Sequence, residues 1–162
     1  MRKDYIDSCV FLGYALDKNA NCQNYIQTIG YNNRNKATIS HFVLSEILYT
    51  IIIKLKYEKD HITEYILKET AFKLIDNTIN ELIKKKYLIV NRLKTNIINE
   101  DLLRELQNID NRLSEDDIFH IIEAIVNECD FFVTSDKEII SNSKLREHLS
   151  RNHKIKILEI KL

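Results

Sequence analysis

The chain has 162 residues, and its 24 Lys or Arg residues balance 24 Asp or Glu residues, so the formal net charge is zero. That balance argues against the strongly basic surface by which many proteins bind nucleic-acid phosphates. A composition of 44% hydrophobic and 30% charged residues excludes the disordered and collagen-like classes. The length predicts one domain, spanning residues 1–162.

The cysteine pattern and the apolar runs predict a cytoplasmic protein without membrane contact. The three cysteines are widely spaced and form no disulfide or metal-binding pattern, as expected for free thiols in a reducing compartment. The N-terminus lacks the apolar core of a signal peptide. The most apolar run, Ile47–Ile53, is far shorter than the roughly 20 residues that span a bilayer.

Strands and helices are predicted to alternate along the whole chain. From His41 to about Lys56, apolar residues recur every three or four positions, which is helix periodicity. This alternation predicts an α/β fold, a three-layer α/β/α arrangement with a mostly parallel central sheet. The predicted elements are a strand at 2–7, then a turn or helix start, an Asn-rich loop at 31–36, a strand at 36–40, helices at about 41–56 and 60–85, a strand at 87–90, a short helical or irregular stretch at 102–106, a helix at 114–127, a strand at 131–134, a helix at 138–150 and an edge strand at 154–160.

Several carboxylates fall where such folds bind ligands, beyond the carboxyl ends of the strands. Asp7 closes the first strand, Asp136 follows the fourth, and Asp116 or Asp117 begins the helix that leads to the fourth strand. Glu46 lies in the first turns of the helix after the second strand. Gathered carboxylates repel one another unless a cation neutralises them, and oxygen ligands suit Mg²⁺ or Mn²⁺. The pattern predicts a metal site of the kind that cleaves phosphodiesters.

The sequence resembles the PIN-domain family over nearly its whole length. This family comprises metal-dependent nucleases, among them the toxins of VapBC-type toxin–antitoxin pairs and several RNA-processing enzymes. Four segments, in chain order, are similar to the successive acidic motifs of the family: Tyr5–Leu12, Ile39–Ile47, Asp117–Ala124 and Cys129–Asp136.

The resemblance implies an endoribonuclease that uses Mg²⁺ or Mn²⁺ and leaves a 5′-phosphate and a 3′-hydroxyl. Its implied partners are an RNA substrate, an antitoxin protein and a second copy of the chain in a homodimer. The sequence departs from the family at Cys9, where many members carry Asn. The implied metal-binding and catalytic residues are Asp7, Glu46, Asp117 and Asp136, supported by Thr134, which would orient the carboxylates, and by Ser8 and Asp116.

Each acidic residue also has a purely structural interpretation. Asp117 stands three residues after Ser114, as in a helix capping box. Glu46 could face solvent on an amphipathic helix, although its neighbours are apolar. Asp7 and Asp136 could be ordinary turn residues after strands. Their coincidence at one sheet edge favours the metal site.

Histidines are not predicted to be ligands. His120, three residues after Asp117, is expected at the core or its boundary. The other histidines show no ligand spacing and are expected on the surface; they are His41, His61, His148 and His153.

Two other function classes remain as alternatives. The domain could be an inactive scaffold that binds RNA or protein, although all four acidic positions are retained. A receiver-like phosphoacceptor domain would need paired acids at the first strand and a lysine at the end of a late strand; Asp7 is followed by Ser-Cys, and no lysine stands in the needed place. P-loop, Rossmann, α/β-hydrolase and zincin motifs are absent from the sequence.

Overall fold

Five short strands form one parallel sheet. A computed structural model describes residues 2–31, 35–58, 63–85, 88–91 and 100–162. The strands are β1 (Arg2–Ile6), β2 (Asn35–Ser40), β3 (Leu88–Asn91), β4 (Phe131–Thr134) and β5 (Lys156–Glu159). They lie in the order β3-β2-β1-β4-β5, and every neighbouring pair is parallel.

The strand order reverses between β1 and β4. The chain builds outward from β1 through β2 to β3, and then crosses back to add β4 and β5 on the other side. Tyr5 of β1 is in register with Thr38 of β2 and with Phe132 of β4. In open parallel sheets, ligands bind beyond the carboxyl ends of the strands at such a reversal. The residues that follow β1 and β4 are therefore the first candidates for a site.

The two central strands are buried on both faces. Tyr5, Ile6, Phe132 and Val133 are fully buried. Each parallel connection crosses the sheet through helices, which cover both faces and remove the strands from water. This arrangement confirms the predicted three-layer α/β/α class, and β5 is at the sheet edge as its alternating sequence predicted.

Eight α-helices and one π-helical turn are present among the described residues. None of these helices is long and apolar enough to cross a membrane. They are α1 (Ser8–Ala15), α2 (Ala20–Tyr31), α3 (His41–Glu58), α4 (Glu64–Lys84), α5 (Glu100–Ile109), α6 (Glu115–Val126), α7 (Lys137–Ser141) and α8 (Ser143–His148), followed by the π-helical turn Leu149–His153.

Helix α2 was not predicted, although the sequence carries its signals. Asn19 caps it, because the Asn19 side chain accepts hydrogen bonds from the backbone N–H groups of Asn21 and Cys22 at 2.9 and 3.2 Å. Cys22, Ile26 and Ile29 are buried at helical spacing. The stripe is narrow and its polar neighbours are Asn and Gln, so the pattern is weaker than in α3.

The single helix predicted at 138–150 is wrong. The structure divides this segment at Asn142, whose backbone is extended and whose side-chain oxygen accepts from the N–H of Leu145 at 3.0 Å. Asparagine competes for backbone donors in this way and so ends one helix and caps the next.

Parts of three predicted elements lie outside the described residues. They are residues 32–34 of the Asn-rich loop, residues 60–62 of the second long helix and Tyr87 of the third strand. His61 lies in the second of these segments.

Candidate active site

Asp7 lies directly after β1, at the reversal of strand order. Its backbone N–H donates to the carbonyl of Val133 at 3.0 Å, so the residue is tied to β4. Its buried carboxylate caps α1 and accepts from the N–H of Ser8 at 2.6 Å. Asp7 therefore stands at the edge where the sequence predicted it.

Thr134 links Asp7 to Asp136. The buried Thr134 hydroxyl donates to Oδ2 of Asp7 at 2.5 Å and accepts from the backbone N–H of Asp136 at 3.0 Å. Asp136 caps α7, with Oδ1 accepting from the N–H of Glu138 at 2.7 Å. The hydroxyl thus sets the orientation of the Asp7 carboxylate and connects it to the turn that carries Asp136.

Cys9 supplies a further donor to Asp7. Its Sγ lies 3.2 Å from Oδ2 of Asp7 and accepts from the N–H of Ser135 at 3.3 Å. Burial, together with the negative charge of Asp7, raises the pKa of the Cys9 thiol to about 11. The thiol therefore stays protonated and donates to Asp7, at the position where many PIN domains carry Asn.

Glu46 reaches the site from α3 and meets His120 from α6. Oε2 of Glu46 lies 2.7 Å from Nε2 of His120, whose ring is buried. Nδ1 of His120 lies 3.1 Å from the hydroxyl of Tyr5, which lies 2.9 Å from Oγ of Ser40. The chain of contacts runs from β2 through β1 and α6 to α3.

The pKa shifts of Glu46 and His120 indicate an ion pair. Burial would raise the pKa of Glu46, but hydrogen bonds from His120 and Ser8 and the charge of His120 lower it overall. Burial would lower the pKa of His120, but the hydrogen bond to Glu46 and the charges of Asp7, Glu46 and Asp117 raise it overall. Each partner is therefore stabilised in its charged form.

Asp117 is held by the capping box that the sequence suggested. Its Oδ2 accepts from the N–H and the hydroxyl of Ser114 at 3.0 and 2.7 Å, and its own N–H donates to the Ser114 hydroxyl at 3.1 Å. Its charge still acts on His120, one turn further along α6. Asp116 is exposed.

Of the four predicted metal-binding residues, Asp7 and Glu46 lie close together, whereas Asp117 and Asp136 lie further out. Donor atoms of Asp7, Glu46 and His120 lie within 4.8 Å of one another, a grouping in which Asp117 and Asp136 do not take part. His120 was expected at the core or its boundary, and it is buried, but its contact with Glu46 was not predicted. The only sequence signal that His120 lies near the site is its spacing of three residues from Asp117, which places both on neighbouring turns of one helix.

The carboxylates at this edge lack a lysine or arginine partner. Asp4, in the middle of β1, is also a buried carboxylate, but it is paired with Arg2 at 2.6 Å. Among the described residues, no lysine or arginine forms an ion pair with Asp7, Glu46, Asp117 or Asp136. Glu46 has the charged ring of His120 as its partner, but the buried Asp7 carboxylate forms no ion pair among the described residues. A buried charge without such a pair is costly, so these oxygen donors fit a divalent cation.

The comparisons with known proteins concern the fold. No family model and no curated protein matches the sequence. The structure is similar to a chain in the crystal structure of VapBC2 from Rickettsia felis bound to a DNA fragment from their promoter, with a TM-score of 0.65 and 15% sequence identity. The match covers 98% of this chain and 99% of that one. The chain therefore has the PIN-like three-layer α/β/α fold, which it shares with a chain of the VapBC2 structure.

Proposed function

We propose that the chain is a ribonuclease that hydrolyses RNA phosphodiester bonds with Mg²⁺ or Mn²⁺. The observation that carries this proposal is the buried Asp7 carboxylate, which accepts hydrogen bonds from Ser8, Cys9 and Thr134, lies next to Glu46 and forms no ion pair among the described residues. The rest of the proposed metal-binding and catalytic set consists of Glu46, Asp117 and Asp136.

A divalent cation bound here would lower the pKa of the water that it holds and would neutralise charge on the substrate phosphate. The residues of the chain prepare for it by holding the carboxylates in place. Thr134 and Ser8 orient Asp7, and His120 holds one oxygen of Glu46. Asp136 and Asp117 each have one carboxylate oxygen engaged at a helix N-terminus. Fixed ligands lose little conformational freedom when a cation binds.

The biological role that we propose is that of a toxin in a toxin–antitoxin pair. The support is the likeness of the fold to a chain of VapBC2. RNA, an antitoxin protein and a second copy of this chain are the proposed partners, and the proposed location is the cytoplasm. With cations bound, four of the 24 acidic residues would be neutralised, so the zero formal charge is compatible with an RNA substrate.

The decisive test is RNA cleavage with added Mn²⁺ by the wild type and by Asp7→Asn. We expect Asp7→Asn to lose at least about 100-fold in rate, since even residues that only support metal ligands contribute up to that much. Asp130→Asn is the matched control, because Asp130 is exposed and lies before β4, at the opposite edge of the sheet. Equal cleavage by wild type and Asp7→Asn would contradict the proposal.

A scaffold without catalysis is the second candidate, and one observation favours it. Glu46, Asp117 and Asp136 each already have hydrogen-bond donors within the protein. Thermal denaturation with and without millimolar Mn²⁺ distinguishes the metal-dependent nuclease from the scaffold, because a ligand that binds only the folded state raises its stability. An unchanged Tm would support the scaffold.

A further inference from the structure

A second group of metal-ligating side chains lies away from the acidic site. Oε1 of Glu105, on α5, is 2.7 Å from Nε2 of His148 and 3.7 Å from Nε2 of His153. The three donor atoms all lie within 4.8 Å of one another. The two histidines were expected on the surface, and the structure instead makes both half-buried, each side chain being 18% exposed.

The site lies at the opposite edge of the sheet from Asp7. His153 precedes β5, and the first residue of that strand, Lys156, is in register with Phe131 at the amino end of β4. Asp7 follows the carboxyl end of β1. The two groups therefore belong to different edges of the sheet, and metal binding at one does not require nuclease activity at the other.

The π-helical turn is what brings the two histidines together. In an α-helix, a residue five positions further on points about 140° away around the helix axis, whereas a π-helical turn, with hydrogen bonds between positions five apart, returns it to nearly the same side. His148 and His153 are five positions apart, and their ring centroids are 5.5 Å apart. Lys154 then adopts a left-handed conformation with φ of 60°, which ends the turn. Single π-helical turns occur often at functional sites.

One donor atom of this group has no hydrogen-bond partner. Nε2 of His153 is completely buried and forms no hydrogen bond. A buried polar nitrogen without a partner costs about 1–3 kcal/mol. It lies beside Glu105 and His148, so an ion bound between the three side chains would give this nitrogen a partner.

The spacing suits a small cation. Zinc ligands lie about 2.0–2.2 Å from the ion, so donor atoms around a tetrahedral site are about 3.3 Å apart. The distances from Glu105 to His148 and to His153 bracket this value. Two imidazoles with one carboxylate form a donor set that zinc uses widely and that Mg²⁺ does not prefer.

The surroundings also fit a ligating histidine. The amide nitrogen of Asn152 lies 3.2 Å from Nδ1 of His148 and 3.5 Å from its Nε2. An Asn amide presents an oxygen in place of its nitrogen when it rotates by half a turn, and that oxygen would accept from the Nδ1–H that a metal-bound imidazole carries.

A cavity of about 470 Å³ lies beside His148; its lining includes His148 and Asn152 but neither Glu105 nor His153. Two cations line it, Lys144 and Arg151, and each acts on a nearby carboxylate. Arg151 pairs with Glu147 at 2.7 Å, and Lys144 is close enough to Asp110 to contribute to lowering its pKa.

We propose that Glu105, His148 and His153 bind a divalent transition-metal ion of the zinc class. The ion would fasten α5 to the π-helical turn between α8 and β5. The remaining coordination position would be filled by water, because the structure offers three protein donors.

The test is titration of chelator-treated full-length protein with Zn²⁺, followed by calorimetry and by the ¹⁵N shifts of the histidine side chains. We expect the Nε2 resonances of both His148 and His153 to move on metal binding. We expect His153→Gln and Glu105→Gln each to weaken this binding at least about 100-fold, because each removes a direct ligand.

Asp7→Asn is the matched control, because it alters the other metal-binding group and should leave the Zn²⁺ affinity of this one unchanged. Glu105→Gln preserves size and so keeps the test valid if a histidine variant fails to fold. Unmoved resonances of His148 and His153, or equal Zn²⁺ isotherms for the wild type and both ligand variants, would overturn the proposal and leave the buried nitrogen of His153 to be satisfied by water.

Discussion

His120 Nε2 lies 2.7 Å from Glu46 Oε2, and this contact joins α6 to α3 at the carboxyl edge of the sheet. The two residues are 74 positions apart in sequence. On its other side the same ring contacts the Tyr5 hydroxyl in β1. One buried histidine thereby connects a helix on either side of the site to the central strand.

This ion pair predicts a pH dependence of stability in metal-free protein. The pKa of His120 is raised from 6.5 on folding, so its contribution is complete below that value and is lost as pH rises through the raised pKa. The pKa of Glu46 is lowered from 4.5, so its contribution is present above that value and is lost as pH falls through the lowered pKa. The pair therefore stabilises the folded protein most between the two unfolded-state pKa values, at about pH 4.5 to 6.5.

Urea denaturation of the wild type and of His120→Gln, both treated with chelator, measures this effect. We expect the loss in unfolding free energy to be larger at about pH 5.5 than at about pH 9. His41→Gln is the control, because His41 is exposed. A loss that does not vary with pH would show that His120 contributes by packing alone.

Thr134→Val is expected to remove a constraint on the orientation of the Asp7 carboxylate while keeping nearly the same side-chain volume. The substitution removes the hydroxyl that donates to Asp7 and accepts from Asp136, and an unsatisfied buried group costs about 1–3 kcal/mol of stability. Mn²⁺ affinity, measured by thermal shift, should fall about 10- to 100-fold. Thr134→Ser retains the hydroxyl and should behave as the wild type. If Val and Ser variants bind Mn²⁺ alike, the hydroxyl does not orient Asp7.

Ser114→Ala and Asp117→Asn separate the capping role of Asp117 from its proposed ligand role. Ser114→Ala breaks the capping box at a cost of about 1 kcal/mol but retains the carboxylate, so cleavage of RNA should persist. Asp117→Asn should lose cleavage at a comparable cost in stability. Measured Tm and cleavage rates of the two variants decide the matter. Similar cleavage by both would mean that Asp117 serves only as a cap.

Gly13→Ala is expected to strain the contact between α1 and α2. A Cβ at Gly13 would lie 2.7 Å from Sγ of the buried Cys22, which is closer than real Cβ atoms approach, and 3.0 Å from Cδ2 of Leu162, which is a tight contact. Overpacking of this kind costs about 1–3 kcal/mol. Cys22→Ala should recover part of the loss, so chemical denaturation of both single variants and the double variant should give a favourable coupling energy. Additive losses would place the strain elsewhere.

The residues at strand ends could be predicted because their positions follow from local pattern. Strand burial and the alternation of elements located Asp7, Thr134 and Asp136, and parallel strands must bring their carboxyl ends to one edge. The capping box of Ser114 and Asp117 was also visible, since it involves residues three positions apart. Helix α2, with its narrow apolar stripe, and the break at Asn142 were not predicted. The intrinsic helix propensity at both places is weak, and capping by Asn side chains and packing determine the structure there.

The sequence by itself determined the α/β class, the order of its main elements and the edge at which the acidic residues gather. Only the tertiary structure decided that Glu46 meets His120, and that Glu105 meets His148 and His153. The reason is physical: a residue at a strand end is placed by the strand, whereas a contact between two helices depends on their crossing angle, their rotation and the form of the turns between them. A π-helical turn, which no periodicity in the sequence predicted, was enough to convert two apparently separate histidines into neighbours.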